Sequence, residues 1–94
     1  MPVRLGIRLS AAVMSWLHQH PDHQDHFSEQ LSRIASNELT LLDETFPLHH
    51  HGLPYMQRFF RFSDIYMAVF EWKHAERRIR VHSIHEIDDL PTAA

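Results

Sequence analysis

Cysteine is missing from this 94-residue chain, which excludes disulfides, Cys-ligated zinc and thiol catalysis. Glycine occurs only at Gly6 and Gly52, so no glycine-rich loop is available to cradle a phosphate. No stretch comes near the roughly 18 uninterrupted apolar residues of a membrane-spanning helix. The N-terminus alternates Arg with apolar residues and lacks the continuous hydrophobic segment of a secretory signal. Overall positive charge is lacking too: the net charge is −3, whereas domains that bind nucleic acid through bulk charge are strongly basic. With neither staple nor signal, the expected location is cytoplasmic, with no membrane partner. The length is that of one domain, which buries roughly 60–65% of the surface its unfolded chain exposes and so has a small stability margin.

What is present is a marked segregation of charge. Residues 1–10 carry Arg4 and Arg8 and no acid, whereas residues 11–51 set Arg33 against Asp22, Asp25, Glu29, Glu38, Asp43 and Glu44. Residues 52–82 carry six bases against Asp64, Glu71 and Glu76, and the stretch after them is acidic through Glu86, Asp88 and Asp89. A local basic face is therefore compatible with the acidic whole. Ten histidines add a further variable, because protonating some of them at about pH 6 carries the net charge through zero.

Val3, Leu5, Ile7 and Leu9 alternate with Arg4, Gly6, Arg8 and Ser10, a period of two that predicts a strand with one buried face. Ser10 is placed to cap the helix that follows, on which Val13, Trp16, Leu17 and His20 share a face. Pro21 stops that helix, and the polar segment 18–26 reads as an interhelical connection. Asp22 or Asp25 can cap a second helix with apolar positions Phe27, Leu31, Ile34 and Ala35. The same face continues in register to Leu41 and Leu42. One long helix to about Glu44 is therefore preferred over an end near Asn37 with 38–42 extended. Residues 45–54, with two prolines, a glycine and three histidines, read as a loop.

From Gln57 the period changes. Residues 57–62, 65–72 and 77–84 are three β-rich runs separated by connections of hairpin length. The middle run is apolar on both faces and should be the central strand; in the last, Ile79 and Val81 point inward and Arg78, Arg80 and His82 outward. The predicted class is α+β in the order β-α-α-β-β-β, ending in a three-stranded antiparallel meander. A single domain spans 1–87 and a flexible tail 88–94.

Arg58, Arg61, Arg78 and Arg80 are the candidate binding residues, for nucleic acid or an acidic protein segment. Arg58 and Arg61 point to opposite faces of a regular strand, whereas Arg78 and Arg80 share one. The competing reading is a solvated outer face on which basic side chains blunt the sheet's edge. His82 and His85 lie on opposite faces of a regular strand, so at most one belongs to any one site. His49, His50 and His51 are consecutive and cannot all face one ion, and no recognised ligand spacing lies beside them, so neither metal nor cofactor is assigned. Trp16, Phe27, Phe60, Phe62, Tyr66, Phe70 and Trp72 read as core rather than as a base-stacking surface.

The order strand–helix–helix–three antiparallel strands resembles the RelE/ParE superfamily of toxins from type II toxin–antitoxin modules. Arg8-Leu9-Ser10-Ala11-Ala12 resembles its strand-to-helix junction, and Leu42 and Pro47 followed by Gly52-Leu53 its connection after the second helix. Residues 57–72 and 77–85 resemble its run of arg-x-phe, tyr-x-x-x-phe and val-x-x-ile-his strands. The resemblance implies two helices packed on one face of a twisted sheet, with the first strand inserted beside the later ones. It also implies a cognate antitoxin and, as target, DNA gyrase or the ribosome; a homodimer is left open. Ribosome-dependent nucleases of the family keep bases where this chain has Asp64 and, after His85, Glu86, Asp88 and Asp89. That departure favours a ParE-like toxin acting by protein binding and leans away from catalysis. The alternative is a RelE-type endoribonuclease using Arg78, Arg80 and His82 or His85, and a third reading is a non-toxic binding module of the same fold.

Overall fold

A computed structural model describes residues 4–48 and 56–87; the histidine triplet 49–51 and the segment 88–94 lie outside the described residues. The chain runs β1 (Gly6–Leu9), α1 (Ala11–Gln19), α2 (Gln24–Ala35), α3 (Glu38–Glu44), β2 (Phe46–Leu48), β3 (Met56–Arg61), β4 (Tyr66–Lys73) and β5 (Arg78–Glu86). The mixed α+β class is as expected, but among the described residues the sheet has five strands, in the order β1-β5-β4-β3-β2. β1 lies parallel to β5 and every other pair is antiparallel. The run that is apolar on both faces, β4, occupies the centre.

The long second helix breaks in two. α2 ends at Ala35, and Asn37, in extended conformation, starts α3 by accepting the Thr40 amide on its side-chain oxygen at 2.8 Å. An asparagine competes well for a cap and poorly for a helix interior, so periodicity alone misplaced this boundary. Arg33 of α2 and Glu44 of α3 pair across the break. Neither Asp22 nor Asp25 caps α2: its N-cap position is His23, at the end of a 3-10 turn over Pro21–His23. Part of the expected loop is strand β2, whose Pro47 lacks an amide hydrogen and suits an edge position.

All three helices pack on one face of the sheet. Val13 of α1, Phe27, Leu31, Ile34 and Ala35 of α2 and Leu41 of α3 meet Phe60, Phe62, Ala68, Phe70, Trp72, Ile79 and Val81 in one buried cluster. The aromatic residues read as core are in it or, like Trp16 and Tyr66, packed against it. Ile7 is an exception to the buried face expected of β1, because at this sheet edge it remains 38% exposed.

One irregularity interrupts the β4–β5 pairing. Along β4 and β5 the register steps from Val69↔Ser83 to Phe70↔Val81, so His82 is an extra residue on β5, a β-bulge. The Ser10 hydroxyl donates to the His82 carbonyl at 3.0 Å and accepts the Val13 amide at 3.1 Å. One side chain thus caps α1 and holds the bulge.

Candidate active site on the open face of the sheet

The face opposite the helices is built from cross-strand rows. Arg61, Met67 and His85 form one row, Phe59, Val69 and Ser83 the next, and Gln57, Glu71, Arg80 and Arg8 the third. Met67 and Val69 are buried although they lie outside the helix-side core, and the Glu71 residue is only 8% exposed. A largely buried acidic residue thus shares this face with Arg8, Arg61, Arg78 and Arg80, with Arg80 as its neighbour on β5.

The bulge decides where the histidines go. In a regular strand His82 and His85 diverge; the extra residue resets the alternation, and both rings approach one hydroxyl. Ser83 Oγ lies 3.0 Å from His82 Nδ1 and 2.8 Å from His85 Nε2. On its far side His82 Nε2 is 3.5 Å from the side-chain nitrogen of Gln57. Burial pushes the His82 ring below its ordinary value, Glu71 acts in the opposite sense, and His85 and Arg80 add to the lowering. Its neutral form is thus favoured, as a general base requires.

The arginines divide. Arg80 is exposed on the open face and Arg78 lies on the same face one row further along β5; Arg61 is exposed there as well. Arg58 does not belong with them. Its side chain is turned to the helix side and buried, with Nε donating to Thr45 Oγ1 at 2.6 Å and Nη2 to the Thr45 carbonyl at 2.9 Å. Burial pushes its guanidinium below its ordinary value. It ties β3 to the end of α3 and is removed from the binding surface by geometry, since position 58 alternates with 57 and 59.

The structure describes two of the acids that stand where the family's nucleases keep bases. Asp64 is exposed in the β3–β4 connection, and Glu86 pairs with Tyr66 on the helix-side register. Asp88 and Asp89 lie outside the described residues. Glu71, Ser83 and Gln57 escaped the sequence reading. Glu71 had a visible signal, as the only charged side chain within 65–72, and Ser83 had one in its place between two histidines; Gln57 had none.

Among the described residues no group of three or more His, Asp or Glu is placed to hold a metal ion. No helix of the described residues is long and apolar enough to cross a membrane. Comparison with known proteins finds no matching family model, no matching curated protein and no matching solved structure.

Proposed function

We propose that this chain is the toxin of a type II toxin–antitoxin module and acts as a RelE-type endoribonuclease on the open face of its sheet. The observation that carries the reading is the pair of imidazoles on the Ser83 hydroxyl, with Glu71 and Arg80 in the adjoining row. A surface that only binds needs charge and shape; two imidazoles in one hydrogen-bonded unit supply a proton acceptor and a proton donor. RNA cleavage needs both: the base takes the ribose 2′-hydroxyl proton, the freed oxygen attacks the neighbouring phosphorus, and the acid protonates the departing 5′-oxygen. Arg80, with Arg8, Arg61 and Arg78 on the same face, is suited to hold the phosphate and its developing charge. The element order adds support through its resemblance to RelE/ParE toxins, and an antitoxin segment laid over this face would block it.

Binding a protein target such as gyrase is the second reading. It is favoured by Leu39, Leu42 and Phe46, which are exposed close together in sequence on α3 and β2. Induced expression in a bacterial host separates the two. Growth arrest with cleaved translated mRNA and unchanged DNA supercoiling supports the nuclease. Arrest with altered supercoiling and intact mRNA supports the binder, and unimpaired growth with neither change defeats both.

A further inference from the structure

The contacts around Ser83 carry direction as well as proximity. A hydroxyl has one hydrogen, so it donates to one ring and accepts from the other. In this amide orientation Gln57 turns its nitrogen, which can only donate, to His82 Nε2 at 3.5 Å, and that orientation selects Nε2 as the bare nitrogen. His82 then carries its hydrogen on Nδ1 and donates it to Ser83 Oγ, and the Ser83 hydroxyl donates to His85 Nε2. His85 in turn holds its hydrogen on Nδ1. Four groups fall into one oriented chain, Gln57 to His82 to Ser83 to His85.

We propose that Ser83 is a proton relay joining His82 and His85 into a single neutral acid–base unit of fixed tautomers. Its use in catalysis rests on the RNA-cleaving reading above; its existence does not. In the reaction the ribose hydroxyl displaces the Gln57 amide from His82 Nε2, which accepts the hydroxyl proton while the oxygen–phosphorus bond forms. The His82 Nδ1 hydrogen passes to Ser83 Oγ, the Ser83 hydrogen passes to His85 Nε2, and the His85 Nδ1 hydrogen goes to the departing oxygen as its bond to phosphorus breaks. One proton enters the unit and one leaves, both rings end neutral, and the chain has reversed polarity. The bulge is what allows this, because it brings rings three positions apart in sequence to one hydroxyl. Ser83 acts through the two histidines and is a positioning residue.

Long-range proton–nitrogen correlation spectra of the nitrogen-15-labelled chain, taken above the ordinary imidazole titration range, read the tautomers directly. Both rings are expected in the Nδ1–H form, although free histidine prefers Nε2–H. Ser83→Ala should release His85 toward the free preference while Gln57 still holds His82, and Ser83→Thr, which keeps the hydroxyl, should retain both. Native rings found as Nε2–H, or a His85 ring unchanged by Ser83→Ala, overturn the relay. With RNA, Ser83→Ala should slow cleavage about 100-fold at unchanged RNA binding, with recovery in Ser83→Thr; cleavage at the native rate in Ser83→Ala overturns its catalytic use. Native protein that shows the expected tautomers but cleaves no RNA supports the relay and defeats the nuclease reading, so the two failures are distinct.

Discussion

Arg58 and Arg61 stand three residues apart on β3 and face opposite sides of it, so the same substitution has unlike consequences. Arg58→Ala leaves the Thr45 hydroxyl and carbonyl at the end of α3 without their charged donor and is expected to cost about 1.5–3 kcal/mol in chemical denaturation. Arg61→Ala removes an exposed guanidinium and should leave stability near native while weakening RNA binding, more so at low salt. His82 gives a second residue-level expectation. Burial lowers its proton affinity from the ordinary 6.5, helped by His85 and Arg80 and opposed by Glu71, while Gln57 faces it without charge. The unfolded ring therefore takes up a proton that the folded ring resists. The stability linked to His82 is fully present above about pH 6.5 and is lost as the pH falls below it, until the folded ring titrates. Thermal unfolding measured from about pH 7 to about pH 5 should show a shallower loss of Tm in His82→Gln than in the native chain.

The bulge on β5 is the element on which the site depends, and Ser10 is what holds it. Ser10→Ala removes both the α1 cap and the donor to the His82 carbonyl, and is expected to cost about 1–2 kcal/mol. Ser10→Thr, which keeps the hydroxyl, should stay close to native; equal losses in the two variants would show that the hydroxyl is not what matters. The three later strands were legible because alternation and hairpin spacing are local, and the structure places them within one or two residues of their expected bounds. The break between α2 and α3 was not, because the apolar face runs through it and only the side-chain chemistry of Asn37 marks it. Strand β2 was hidden by its proline, which reads as loop and serves instead at an edge. The bulge was illegible for a deeper reason. It is a mismatch between two strands, set by where β4 pairs with β5 and by a serine 72 positions away in sequence from the histidine it holds. Without it the rule that His82 and His85 diverge holds; with it the rule fails.

At the scale of the molecule, a small domain has put its helices on one side of the sheet and set arginines, two histidines and Glu71 around Phe59, Met67 and Val69 on the other. Sequence alone located the basic arginines and both histidines but could not assemble them, since assembly needed the cross-strand rows and the bulge. It also counted Arg58 in the surface, because burial of an arginine depends on partners such as Thr45 that lie on another element. A domain of this size gains from any ligand that binds only its folded state, which fits control by an antitoxin. RNA cleavage by this face requires the two imidazoles to act together. The direct measurement is incubation of the purified chain with ribosome-bound mRNA, scoring cleavage and the chemistry of the new ends. The account predicts 2′,3′-cyclic phosphate and 5′-hydroxyl ends, with rates down about 100-fold or more in His82→Ala and in His85→Ala. Intact mRNA with the native chain, or cleavage at the native rate by either variant, would contradict it.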